Sequence, residues 1–265
     1  MRRQILLYER VIALLQAIDA AGQILGIGRP VPEEHPDLAR SEVGAHQLVE
    51  AVDIMAFLSY GYQVLGQLQP AIDLIREAIA TDPLRADWYS DAAGVLMAQG
   101  RLDAAEQAIR KALALQPDFP YLYAGLGEID ILRGDAAAAV HDARQETDPG
   151  AQRWLLLAAQ QIGPDREQAD AALRNYIAKY GKTEPYTVAD LYAVRKQPDE
   201  MFEWLQRTWT GHGTALVKSL LSDPFVLPYQ HDPRFTALCK EVGLPVPGET
   251  LSGDGVPVSA SSSRH

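Results

Sequence analysis

The sequence predicts an all-α fold of stacked helical hairpins closed by a short C-terminal helical cap. Three observations carry that expectation. An internal pattern recurs every 34 residues, apolar residues within each unit follow the helical period, and glycine and proline fall at fixed points of successive units. Gly66, Gly100 and Gly134 are in register, as are Ala71, Ala105 and Ala139. Ala78 pairs with Ala112, Pro83 with Pro117, and Ile75 with Ile109.

Taken in chain order, residues 1–51 form an irregular front. Ile5 to Ala21 reads as an amphipathic helix, Gly26 to Pro36 as a Gly/Pro-rich linker, and Ser41 to Leu65 as helix again. The repeats span 52–210, with three clear units at about 52–85, 86–119 and 120–149. In each, Gly ends the first helix in a left-handed conformation that costs it no steric clash. The alanine that follows sits where the two helices cross, and Pro83 and Pro117 stop the second helix because proline lacks the amide donor.

The third unit departs from the pattern. Asp130 stands where Tyr62 and Leu96 stand, Glu146 replaces the small Ala78 and Ala112, and Pro149 comes two residues early. A shorter or displaced second helix is expected there. Two degenerate pairs follow: Gln152 to Ile162 with Glu167 to Tyr180, and Thr187 to Arg195 with Asp199 to Trp209. Pro185 and Pro198 suit helix starts, and Asp199 and Glu200 suit a positive helix end. Residues 211–247 read as a cap. Asp223-Pro224 and Asp232-Pro233 are helix-start signals, and Arg234 to Val242 is a short helix ended by Gly243. Residues 248–265 lack periodicity and read as a disordered tail.

The 34-residue unit resembles the tetratricopeptide repeat, and the resemblance implies a right-handed superhelix, an α-solenoid of helix pairs. The string Asp223-Pro224-Phe225, Asp232-Pro233-Arg234-Phe235, Gly243-Leu244-Pro245 resembles the closing element of tetratricopeptide regions in bacterial regulators, which implies a regulatory part of a bacterial signalling system. The residue-level reading of that element is a cap over the apolar edge of the last repeat, which solenoids require.

Composition narrows the function. Of 265 residues, 47% are hydrophobic, and 24 Lys+Arg face 35 Asp+Glu for a net charge of −11. An acidic chain without a Lys/Arg run argues against nucleic acid as a partner. The longest apolar stretch, Ile5 to Ile18, is broken by Glu9 and Arg10, so no membrane span is expected and the chain reads as cytoplasmic, or periplasmic as a fragment of a longer protein. One cysteine, Cys239, excludes an internal disulfide framework and reads as a core residue.

No catalytic residues, metal or cofactor are expected. Gly181-Lys182-Thr183 resembles the tail of a phosphate loop, but Tyr176 stands where its first glycine belongs. Gly211-His212-Gly213 reads as a loop before the cap. The six histidines lack zinc spacing, and His141, Asp142 and Glu146 read as a solvated face before they read as a surface metal site. Glu128 and Asp130 are two apart and point in different directions on a helix.

The resemblance places the first helix of each pair on a concave, ligand-binding face. By register that face carries Asp53, Tyr60 and Gln63, then Asp87, Ser90 and Met97, then Tyr121, Glu128 and Ile131, and Trp154. Family members that clamp a C-terminal carboxylate use Lys, Arg and Asn at positions held here by Ala56, Tyr60, Asp91, Tyr121 and Gly125. A protein or peptide partner with basic residues around an apolar anchor therefore fits better. The expected role is a non-enzymatic interaction module. Alternatives are a small-ligand sensor near Trp204, Trp209 and Phe225, and a helical hydrolase using groove acids such as Glu128. The apolar stripe Ile5, Leu6, Val11, Ile12, Leu15 and Ile18 would support a homodimer through the N-terminal helix, or fold back on the stack.

Overall fold

A computed structural model describes residues 55–211 and 213–248. The expected N-terminal helix and its apolar stripe, the expected linker, Asp53, His212 and the residues after Gly248 lie outside the described residues. Within them the chain is helical and without strands. Helix α1 runs over 55–64. It is followed by α2 (Leu68–Thr81), α3 (Ala86–Ala98), α4 (Leu102–Leu115), α5 (Leu122–Arg133) and α6 (Ala136–Ala143). Then come α7 (Pro149–Ile162), α8 (Arg166–Tyr180), α9 (Pro185–Val194), α10 (Pro198–Thr210), α11 (Thr214–Ser219), a 3-10 turn at Leu227–Tyr229, and α12 (Pro233–Val242).

The repeat positions behave as their chemistry suggests. Gly66, Gly100 and Gly134 have φ of 70, 72 and 81 and end α1, α3 and α5. Ala71, Ala105 and Ala139 are fully buried in α2, α4 and α6, as is Ala169 in α8; in α10 Met201 fills the equivalent place, also fully buried. From α2 to α11 each helix packs on the next, and α3, α5, α7 and α9 also touch in sequence, forming one inner row of first helices. This is an α-solenoid.

The apolar seam along the stack is divided: two large clusters meet on α5, and small ones lie around Met55 and Trp88 and around Ala124 and Leu155. Ile72, Ile75, Val95, Leu96, Ile109 and Ile129 belong to the first. Ile131, Leu157, Leu191, Met201, Leu205 and Phe235 belong to the second, and Leu132 packs against both.

The irregular third unit has a local cause. α6 has 8 residues where α2 and α4 have 14. Glu146 is therefore not at a helix crossing: its buried carboxylate accepts the N–H of Ala124 (2.9 Å), Thr147 (2.8 Å) and Asp148 (2.9 Å). It caps α5 from outside, where the N-cap residue Tyr121 contributes no side-chain bond. Pro149 does not stop the third unit; it opens α7, with Asp148 accepting the N–H of Ala151 at 2.8 Å. Asp165 and Asp232 cap α8 and α12 in the same way.

After α11 the chain does more than cover one edge. α12 lies on α10, with Arg234 bonded to Asp199 at 2.6 Å and stacked over Phe202. The Asp223-Pro224 signal opens a run of turns and the 3-10 turn, not an α-helix. Residues 220–229 cross the inner row instead. Phe225 packs on Trp154 of α7 (5.3 Å between ring centres), Tyr186 of α9 donates its hydroxyl to Asp223 (3.0 Å), and the Tyr229 hydroxyl reaches the carbonyl of Ala193 (3.3 Å). Leu221 arrives at Gly66, where a Cβ would stand 3.1 Å from its own. The segment thus links the last first-helix to the first hairpin turn.

Candidate functional site

The face formed by α1, α3, α5, α7 and α9 divides into an open half and a covered half. In the open half, Tyr60 is 49% exposed and Tyr121 56% exposed. Tyr121 precedes α5 with φ 65, a left-handed conformation uncommon for a bulky residue. Gln63 is half-buried and turns its amide to the Ser59 carbonyl (3.4 Å). Asp87 pairs with Arg85 and accepts the N–H of Trp88 at 3.1 Å, and Ser90 beside it is half-buried. Asp91, one turn on from Asp87, has its carboxyl pushed up to about 6 by the protein crowded around it, then by the Asp87 charge, with Arg85 opposing.

Two of the residues assigned to the face by register are core residues. Met97 is 8% exposed and Ile131 5%, one in each large apolar cluster. A first helix in a stack is covered on both flanks by its neighbours, so a narrow stripe of it faces the groove.

The covered half holds a group of acids. Glu128 of α5, Asp190 of α9 and Asp223 of the crossing segment converge with Tyr186. Asp223 Oδ1 accepts the N–H of Phe225 (2.8 Å) and Val226 (3.2 Å), while Oδ2 takes the Tyr186 hydroxyl. Asp190 Oδ1 is sealed from solvent and has no hydrogen-bond partner among the described residues. Burial, then Asp223, pushes the Glu128 carboxyl up to about 7. Burial, then Asp223 and Glu128, holds the Asp190 carboxyl well above the usual range. Burial also raises Asp223, against its hydrogen bonds. Sequence reasoning found Glu128 but not Asp190 or Tyr186, which no local pattern distinguishes, and it read Asp223 only as a helix start.

Other candidates resolve into structure. Trp204, Trp209 and Phe225 are buried in the second apolar cluster. Glu146 faces the α5 terminus and does not join His141 and Asp142. Thr183 bonds back to the Tyr180 carbonyl through N–H (2.9 Å) and hydroxyl (3.2 Å), making a helix-ending turn of the Gly181-Lys182-Thr183 string. Among the described residues no group of three or more His, Cys, Asp or Glu is arranged to hold a metal ion, and no helix is long and apolar enough to cross a membrane.

Compared with known families, residues 65–129 match the family model described as the tetratricopeptide repeat. The curated proteins contain no match to the chain.

Proposed function

We propose, on the premise that the chain is a tetratricopeptide-repeat protein, that it binds a basic segment of another protein along its inner face and has no chemistry of its own. Tetratricopeptide repeats generally mediate protein–protein interaction. What favours a basic partner is the pairing of exposed aromatics with carboxylates on adjacent first helices: Tyr60, Tyr121, Asp87 and Asp91. An apolar side chain of the partner would lie on the tyrosine rings while Lys or Arg meets the acids. The resemblance of the closing segment to those of bacterial regulators supports a regulatory setting.

The test is a titration with two peptides of equal length and hydrophobicity, one Lys/Leu and one Glu/Leu. The Lys/Leu peptide is expected to bind tighter, with an affinity that falls as salt rises. Tighter binding of the Glu/Leu peptide overturns the reading.

One observation favours a second reading, a small-ligand sensor. A cavity of about 430 Å³ lies between the first hairpin turn (Leu65, Gly66, Leu68) and the C-terminal segment (Leu221, Leu227, Val246). A metabolite screen by thermal shift would support that reading if it raised the melting temperature, and if Leu221→Trp abolished the rise.

A further inference from the structure

We propose that residues 220–229 are a releasable strap across the inner face, seated by carboxyl groups that share protons instead of pairing with cations. The proposal rests on the binding reading above for what the strap would regulate, and on geometry for the strap itself. The segment touches the inner row at three places: Phe225 on Trp154, Asp223 on Tyr186 beside Glu128 and Asp190, and Tyr229 on the Ala193 carbonyl. It therefore covers the half of the inner face next to the open one, so a partner reaching beyond Tyr60, Asp87 and Tyr121 would have to displace it.

Two opposing forces act on it. Leu220, Leu221, Phe225 and Val226 are buried and hold it down. The acids work against it only as they ionise. The groups facing the cluster are Glu128 from α5, Tyr186 and Asp190 from α9, and Asp223 from the strap. α7 contributes Trp154; its Arg153 is occupied by Glu184 at 3.6 Å and the Tyr180 ring. Among the described residues, no cation is a neighbour acting on Glu128 or Asp190. Three carboxylates gathered without a cation cannot all ionise cheaply, so the seated state retains protons that a lifted strap would release. The sign follows. Seating is favoured at low pH and weakens as pH rises above the ordinary carboxyl range toward and past about 7, the value for Glu128.

Hydrogen exchange of the full chain between pH 5.5 and 8.0, corrected for the intrinsic rate, tests this. The protection of 220–229 is expected to fall about tenfold across the range while that of α3 and α4 changes less than about twofold. Glu128→Gln with Asp190→Asn and Asp223→Asn, in which the amide oxygen introduced at position 223 still accepts the Phe225 and Val226 N–H groups, should flatten the fall. Protection of 220–229 that tracks α3 and α4 at every pH overturns the proposal, as does a fall that persists in the triple variant. Adding the Lys/Leu peptide at pH 5.5 separates the two readings. Loss of protection in 220–229 supports both. Failure of the peptide to bind at either pH, with the pH-dependent protection intact, supports the strap and overturns the binding reading.

Discussion

Glu146, in the loop after α6, accepts the backbone N–H of Ala124 in the first turn of α5 at 2.9 Å. A side chain 22 residues downstream thus satisfies a helix end that its own N-cap residue leaves open. Glu146→Ala would strand the amides of Ala124, Thr147 and Asp148, and is expected to cost about 1–3 kcal/mol. Glu146→Gln, which keeps one acceptor oxygen, should cost less. Urea midpoints compare the two, and an unchanged midpoint in Glu146→Ala would remove the capping role.

Gly66, Gly100 and Gly134 share a left-handed backbone, but among the described residues only Gly66 of the three has a neighbour in its Cβ space, Leu221. Alanine at any of them costs about 1–2 kcal/mol of backbone strain. Gly66→Ala is expected to cost more than the other two because Leu221 must shift. In a double-mutant cycle, Leu221→Gly, which removes the Cβ that the new methyl meets at 3.1 Å, should recover that excess. Equal costs at the three glycines would mean that Leu221 does not rest on the first hairpin in solution.

Arg195 ties three helices together: its guanidinium bonds Gln161 of α7 at 2.8 Å and pairs with Asp170 of α8 from the end of α9. Gln161 is a buried polar residue, so Arg195→Ala leaves its amide oxygen unsatisfied at a cost of about 1–3 kcal/mol. Asp170 is solvent-exposed on the other side, and Asp170→Ala should lower the unfolding midpoint far less.

Glu128 yields a pH-dependent prediction. Its folded carboxyl lies at about 7, above its ordinary value of 4.5, so the folded state binds the proton more tightly. That contribution to stability is intact below about 4.5 and is lost as pH rises through 7. Glu128→Gln should therefore melt higher than the parent at pH 8 and equal to it near pH 4.5. A constant difference across pH would show that the group titrates normally.

Tyr121 pairs strain with exposure. Tyr121→Gly relieves the left-handed backbone and is expected not to lower the melting temperature, while weakening Lys/Leu peptide binding by about tenfold, in line with loss of one aromatic anchor. Undiminished affinity would remove Tyr121 from the partner surface.

Much of the fold was legible in the sequence because the signals are local. Gly100 ending α3, Ala105 at the crossing and Pro117 after α4 act within one hairpin, and each sits at a fixed interval from its counterparts. Pro185 and Pro198 mark helix starts for the same short-range reason. The third unit was legible in part: its second helix is short, as the departures at Asp130, Glu146 and Pro149 lead one to expect. Glu146 stood out only as a replacement of the small Ala78 and Ala112, because its partner Ala124 is in another helix. The candidate face was legible only by register, which gives angular position but not depth. Tyr60 and Tyr121 are open, whereas Met97 and Ile131, assigned to the same face, are covered by neighbouring helices.

The chain's own pattern was enough to determine a stack of helical hairpins, since helix period, helix ends and small crossing residues are properties of a few consecutive amino acids. Tertiary structure alone decided where residues 220–229 go and which acids they meet. Tyr186 and Asp223 are 37 residues apart, and Leu221 meets a glycine in the first hairpin from the far end of the stack. Contacts of that kind depend on how far the stack curves. Curvature is the sum of many small packing angles, and no single stretch of sequence carries it.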